Sequence, residues 1–110
     1  MCFKKKKVVG EVYTEDRKCI LLSAQEIDVL KVLDRKKLYD KEFMELKDQL
    51  LFLSPRDNAD VYEIDRKIKD KIGDLKLILN KDHDADDVNI MTIIENIFVM
   101  IKERDAKELK

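Results

Sequence analysis

VNIMTIIENIFVMI, residues 88–101, is the stretch that decides the fold class of this chain. Its apolar positions recur at the three- and four-residue spacing of one helix face, and further apolar residues widen that face. The first stripe comprises Val88, Met91, Ile94, Phe98 and Ile101, and the residues that widen it are Ile90, Ile93, Ile97 and Met100. The sequence therefore predicts a helix over residues 86–108 that is apolar almost all round and buried on more than one side.

The wide apolar surface of this helix also predicts a binding site. In a chain of 110 residues, only two or three neighbouring helices are available to cover it. The side expected to stay open carries Ile90, Ile93, Ile97 and Met100, and soluble monomers rarely expose such a patch. We expect it to bind a protein partner or a second copy of the chain, as a homodimer. In the alternative, the N-terminal segment through Val12, Ile20 and Leu22 covers this side within one chain.

A second apolar stripe predicts a helix over residues 55–80. Pro55 suits the first helical position, where its missing N–H would have no partner, and Ser54 can cap the helix. The stripe consists of Val61, Ile64, Ile68, Ile72, Leu75 and Leu79. Gly73 interrupts it at a cost of about 1 kcal/mol relative to Ala. A close crossing with another helix at Gly73 would explain this residue.

A third stripe predicts a kinked helix over residues 23–53. Ser23 and Glu26 have the spacing of a capping box, so a helix is expected to start there. The second part of the stripe consists of Tyr39, Phe43, Leu46, Leu50 and Leu53. It is out of register with Ile27 and Leu30. We therefore expect a kink or a short turn near residues 36–40, with Asp40 able to cap the second piece.

The first 22 residues are predicted to lie outside the helices. Four consecutive lysines, Lys4 to Lys7, repel one another and bury nothing, so residues 1–7 are expected to form a flexible basic arm. In residues 8–22, two runs with β-branched residues flank a polar break and can pair as a short β-hairpin.

The predicted fold is mainly all-α, a small antiparallel bundle of three to four helices that forms a single domain over residues 8–110. Its expected core consists of Phe43, Leu46, Leu50, Ile68, Ile72, Leu75, Ile94 and Phe98.

The composition agrees with a small helical protein that has a charged surface. Charged residues make up 43% of the chain and hydrophobic residues 45%, which excludes a disordered polyampholyte. With 2 Gly, 1 Pro and no Trp, the chain lacks the material of a many-stranded β-protein. No apolar run approaches the ~20 residues of a membrane span, so no membrane partner is expected. Cys2 and Cys19 match no metal or redox spacing, which favours free thiols and a cytoplasmic location.

Groups that carry catalytic chemistry are sparse. His83 is the only histidine and has no predicted relay partner. Asp82, Asp84 and Asp86 resemble the first half of a calcium loop, but the glycine and the final glutamate of that loop are missing. We therefore predict no enzyme activity, no cofactor and no metal. The predicted function is that of a small protein-interaction module, an accessory, adaptor or inhibitor protein, which acts through the apolar C-terminal helix.

A helix-turn-helix DNA-binding regulator is the alternative function. Residues 22–33 look like the opening helix of such a regulator, and residues 40–51 could supply a second helix after a short turn. Around this turn the chain carries a basic patch of Lys31, Arg35, Lys36, Lys37 and Lys41. Against DNA binding, the second helix also carries Glu42, Glu45 and Asp48, whereas phosphate binding needs a concentrated positive field.

A third possibility rests on paired carboxylates. Glu42 and Glu45, followed by Asp74, resemble the E-x-x-E and E-x-x-D motifs of the all-α NTP pyrophosphohydrolases. The resemblance implies a Mg²⁺-dependent nucleotide hydrolase with four carboxylates meeting across a bundle. Lys71 stands where that family has its third acid, and a cation there opposes metal binding.

Overall fold

Four α-helices make up nearly all of the structure. The structure is a computed structural model, which describes residues 11–34, 37–81 and 87–108. The helices are α1 (Glu11–Leu33), α2 (Asp40–Phe52), α3 (Ala59–Lys81) and α4 (Asp87–Glu108). Within these three ranges no strand occurs. The all-α bundle prediction is confirmed, while the antiparallel arrangement of the helices stays a prediction. The predicted basic arm, residues 1–7, lies outside the described residues.

A single apolar core joins the four helices. Helix α1 packs against α2 and α3, and α3 packs against α4. The buried cluster consists of Ala24, Ile27, Leu30, Tyr39, Phe43, Leu46, Leu50, Ile68, Ile72, Leu75, Leu79, Ile90, Ile93, Ile94, Ile97 and Ile101. Seven of the eight predicted core residues belong to it, and the eighth, Phe98, packs against it half-buried. The periodicity of the last three helices therefore identified the core correctly.

The N-terminal half of α1 corrects two predictions. The hairpin predicted over residues 8–22 is wrong from residue 11 onward, because those residues lie in α1. The helix start predicted at Ser23 is also wrong, since Ser23 lies buried in the middle of α1. The buried positions of α1 recur at helical spacing: Val12, Asp16, Cys19, Ile20, Ser23, Ala24, Ile27 and Leu30. Two of them are polar, and these interrupt the apolar stripe that would have revealed the helix.

A turn held by Asp34 separates α1 from α2. The predicted break near residues 36–40 is confirmed, because α1 ends at Leu33 and α2 begins at Asp40. The backbone N–H groups of Leu38 and Tyr39 donate to the two carboxylate oxygens of Asp34, at 3.0 and 2.8 Å. Asp40 is not the cap that the sequence predicted, since the N-cap position belongs to Tyr39. The carboxylate of Asp34, at the end of α1, holds the turn before α2, and no side-chain hydrogen bond caps α2 itself.

The connection between α2 and α3 is longer than predicted. Helix α3 begins at Ala59, not at Pro55, and the side chain of Asn58 caps it. The Oδ1 atom of Asn58 accepts hydrogen bonds from the N–H groups of Asp60 and Val61, at 2.8 and 3.3 Å. Residues 53–58 are consequently non-helical, and their backbone groups can contact other elements. We call them the α2–α3 connection.

The close helix crossing expected at Gly73 is not found. A Cβ atom added at Gly73 would meet no atom of the described residues within 4 Å. This glycine therefore weakens α3 without providing space for a neighbour.

Candidate functional site

The patch predicted on the last helix is buried within one chain. Ile90, Ile93 and Ile97 are buried in the common core, and Met100 is half-buried against it. This burial contradicts the prediction of an open apolar side on α4. The physical reason is that α4 packs against α3, and its isoleucines share one buried cluster with Ile68, Ile72, Leu75 and Leu79 of that helix. The alternative prediction was that Val12, Ile20 and Leu22 cover this side of α4 within one chain. Of these three residues, Val12 and Ile20 are buried, whereas Leu22 is exposed.

Exposed apolar side chains collect instead on the outer side of α1 and α2. An ion pair joins the two helices there, with Lys47 Nζ 2.8 Å from Asp28 Oδ1, and both side chains are partly exposed. Leu21 and Val32 lie seven and four residues from Asp28, and Met44 and Leu51 lie three and four residues from Lys47. Residues at these spacings share a helix face. We call the surface formed by Leu21, Asp28, Val32, Met44, Lys47 and Leu51 the α1–α2 face.

The apolar members of the α1–α2 face are well exposed. Val32 is 76% exposed, Leu51 is 54% exposed, and Leu21 and Met44 are also among the exposed large apolar side chains. Phe52 follows Leu51 at the end of α2 and is 87% exposed. Sequence reasoning missed this surface because Leu21 was assigned to a strand and because Met44 and Leu51 lie beside the core stripe of α2. The available signal was Phe52, an aromatic residue that lies outside the core stripe of α2.

A buried polar cluster lies where α1, α3 and α4 meet. It consists of Asp16, Asp65 and Arg104, and none of these side chains is more than 2% exposed. The Nε atom of Arg104 donates to both oxygens of Asp65, at 2.8 and 3.0 Å. Its Nη2 atom lies 3.4 Å from Asp16 Oδ2. Buried charges are stable only when they are paired in this way, so the cluster ties the three helices together.

The same cluster holds the α2–α3 connection. Arg104 Nη2 donates to the carbonyl oxygen of Ser54 at 2.6 Å. The backbone N–H of Arg56 donates to Asp16 Oδ2 at 2.9 Å. The connection is thus anchored at two points to side chains from α1 and α4. Asp16 Oδ1, by contrast, has no hydrogen-bond partner among the described residues.

Two buried groups in this region have raised pKa values. Burial, together with a hydrogen bond to Asp16, raises the pKa of Asp65 from 3.8 to about 8. Burial, reinforced by the negative charges of Asp65 and Asp16, raises the pKa of the Cys19 thiol to about 11. Cys19 is therefore a protonated, buried thiol at neutral pH and unsuited to act as a nucleophile.

A cavity of about 310 Å³ opens between α1 and α3, outside the buried cluster. It is lined by Glu15, Lys18, Cys19, Leu22, Tyr62, Arg66, Lys69 and Asp70. Three cations, Lys18, Arg66 and Lys69, and two carboxylates, Glu15 and Asp70, line it, which gives a formal net charge of only +1. With Cys19 protonated, the lining provides no activated nucleophile for chemistry.

Only part of the basic patch predicted for the helix-turn-helix alternative lies among the described residues. Lys37 and Lys41 are exposed and Lys31 is half-exposed near the turn between α1 and α2, whereas Arg35 and Lys36 lie outside the described residues. The candidate second helix, α2, exposes Glu45 and Asp48 as well as Lys41. The surface of α2 therefore carries charges of both signs.

Carboxylates of the hydrolase alternative do not form a ligand set. Glu42 and Glu45 lie on α2, and Asp74 is exposed on α3, the helix that also carries Lys71. Among the described residues, no three His, Cys, Asp or Glu side chains are grouped closely enough to hold a metal ion. His83 and the rest of the acidic run, residues 82–86, lie outside the described residues.

Comparison of the chain with protein families, curated proteins and solved structures found no match. In the part of the chain that the structure describes, no helix combines the length and the apolar character needed to cross a membrane. The α1–α2 face and the buried cluster are therefore the features from which a function can be inferred.

Proposed function

We propose that this chain is a small protein-interaction module that binds its partner through the α1–α2 face. The observation that carries the proposal is the set of four exposed apolar side chains around the ion pair of Asp28 and Lys47. This face replaces the α4 surface predicted from the sequence, whose isoleucines the core occupies. Cytoplasmic location, self-association and the absence of enzyme activity remain predictions.

The energetics of the face suit a modest, specific contact. Fully burying an exposed Leu, Val or Met side chain contributes about 1.5–3 kcal/mol. Because the side chains of this face are about half-exposed to three-quarters exposed, each can contribute a large part of that amount. An exposed ion pair adds roughly 0–1 kcal/mol by itself. At the centre of a contact, the pair of Asp28 and Lys47 would mainly select partners that offer matching polar groups.

The partner that fits this surface is an amphipathic helix with a central polar residue. From Leu21 to Val32 the α1 side of the face spans eleven residues, or roughly 16 Å at 1.5 Å per residue. That length matches about three turns of a helix laid along the α1–α2 face. Such a helix would place apolar residues against Leu21, Val32, Met44 and Leu51 and its polar residue against the ion pair.

Charge substitution on the face tests the proposal. Val32→Glu with Leu51→Glu changes two exposed side chains, so the helical content of the chain should be unchanged. Val99→Glu is the matched control, because Val99 is as exposed as Leu51 but lies on α4. A photo-crosslinker placed beside the face, at Asp48, should yield a specific partner or a second copy of the chain. We expect the double variant to lose this product and the Val99 variant to keep it. Equal crosslinking of both variants would refute the face as the binding surface.

DNA binding through the turn between α1 and α2 is the weaker alternative. It is supported by the exposed Lys37 and Lys41 and opposed by the exposed Glu45 and Asp48 of the same helix. A mobility shift on duplex DNA at low and moderate salt tests it. Binding that weakens steeply with salt and is lost in Lys37→Glu with Lys41→Glu would favour the DNA-binding regulator over the interaction module.

A further inference from the structure

We propose that the buried cluster of Asp16, Asp65 and Arg104 is a proton-dependent latch on the α2–α3 connection. With a proton on the carboxyl group of Asp65, the cluster holds the connection against α1 and α4. When that proton is lost, the connection and the adjoining end of α2, with Leu51 and Phe52, are released. The link to Leu51 and Phe52 rests on the proposed function, whereas the latch itself does not.

The charge balance of the cluster requires the proton. Two ionised carboxylates and one guanidinium would leave a net negative charge among three side chains that are almost fully removed from water. Such a charge is costly to bury, and the usual outcome is that one group takes up a proton. A proton on Asp65 also allows it to donate to Asp16, whose Oδ1 has no other partner among the described residues.

Neighbouring groups reinforce this state. Asp65 is faced by Asp16 and Cys19 from α1 and by Arg104 from α4. The Cys19 thiol stays neutral and supplies no positive charge to compensate a second carboxylate. On α3, Arg66 and Lys69 act on Cys19 from the outer side. The side chains of Arg56 and Asp57 in the α2–α3 connection are exposed to solvent.

The anchoring contacts explain how loss of the proton affects the surface. The connection is held by Arg104 through the Ser54 carbonyl and by Asp16 through the Arg56 amide. Ionisation of Asp65 places two negative groups side by side, and their repulsion pushes Asp16 away from Asp65. Because the anchor of the Arg56 amide belongs to Asp16, the connection loses this attachment. Phe52 and Leu51 lie within five residues of both anchors and move with them.

The direction of the pH dependence follows from the pKa of Asp65. Its folded pKa, about 8, lies above its ordinary value of 3.8, so the folded chain retains a proton that the unfolded chain loses. The stabilising effect is therefore complete below about pH 4, declines as pH rises and is lost through pH 8. Within this window the unfolding equilibrium constant rises by at most about tenfold per pH unit from this single proton.

Carboxyl NMR provides the first test. In wild-type protein labelled with ¹³C, one side-chain carboxyl should titrate near pH 8, and Asp65→Asn should remove that titration. The asparagine side chain imitates the protonated state, since its amide can donate to Asp16 while its oxygen accepts from Arg104. Asp70→Asn, an exposed change further along α3, is the control and should leave the titration in place. The proposal is overturned if every carboxyl of the wild type titrates below about pH 6.

Amide exchange of the α2–α3 connection provides the second test. Hydrogen–deuterium exchange of residues 53–58 is compared between wild type and Asp65→Asn at the same pH, which cancels the intrinsic pH effect. We expect the ratio of the wild-type rate to the Asp65→Asn rate to rise at least severalfold between pH 5 and pH 8. A ratio that is the same at both pH values would overturn the latch. Neither test involves a partner, so loss of binding at the α1–α2 face leaves both results unaffected.

Discussion

Arg104 Nε donates to both carboxylate oxygens of Asp65, and neither side chain is more than 2% exposed. The two residues lie 39 positions apart, on α4 and α3, so this contact joins two helices that the chain connects only through the acidic run. Asp16 of α1 completes the cluster. A polar junction of three helices thus lies beside an otherwise apolar core, and both the junction and the core can be tested by substitution.

Replacing Arg104 should strongly destabilise the fold. Arg104→Met removes the guanidinium and leaves Asp16 and Asp65 buried without it, a change that typically costs about 3–5 kcal/mol. The loss in free energy of unfolding, measured by urea titration, should be larger at pH 8 than at pH 5. An ionised carboxyl group costs more to bury without the guanidinium than a protonated one does. Lys102→Met, an exposed change on the same helix, is the control. Similar stabilities of the two variants would contradict the role of the cluster.

Truncation of Ile72 tests the core. Ile72 is fully buried between the helices, so Ile72→Ala should cost about 2–5 kcal/mol in the free energy of unfolding. Leu77→Ala on the same helix should cost far less, since Leu77 is largely exposed. Thermal and urea unfolding followed by circular dichroism measure both. A larger loss for the Leu77 variant would show that α3 packs on its other face.

The turn between α1 and α2 depends on Asp34. Asp34→Ala removes the acceptor of the Leu38 and Tyr39 N–H groups and should cost about 1.5–3 kcal/mol, because hydrogen bonds to a charged acceptor are lost. Asp40→Ala should cost less, because Asp40 only complements the helix dipole at the start of α2. Urea unfolding measures the free energy of unfolding of both variants and shows which one loses more. A larger loss for Asp40→Ala would show that Asp40 stabilises the start of α2 more than Asp34 stabilises the turn.

Gly73 offers a stabilising substitution. Gly73→Ala adds a methyl group where no described atom lies within 4 Å and removes the conformational freedom of glycine inside α3. The free energy of unfolding should rise by about 0.5–1 kcal/mol, and the melting temperature should rise with it. A lower melting temperature would indicate that a neighbouring group approaches Gly73 closely.

Local periodicity made much of the fold predictable from the sequence. The core residues of α2, α3 and α4 were identified because each helix repeats apolar residues every three or four positions, and such a pattern depends on nothing outside the helix. The break before Asp40 was predicted for the same reason, since the register of the stripe changes there. Helix starts were less predictable, because Ser54 and Asn58 are both good caps and only packing chooses between them.

The tertiary structure alone decided which polar residues are buried and which apolar residues are exposed. Asp16 and Ser23 concealed the N-terminal half of α1, because a polar residue on a helix face is buried only when a partner such as Arg104, 88 residues away from Asp16, reaches it. Ile93 and Ile97 are buried in the core that α4 shares with α3, whereas Leu21, Val32, Met44 and Leu51 of α1 and α2 remain exposed. Periodicity along a chain determines helices, whereas the pairing of distant side chains determines which of their faces remain open to solvent.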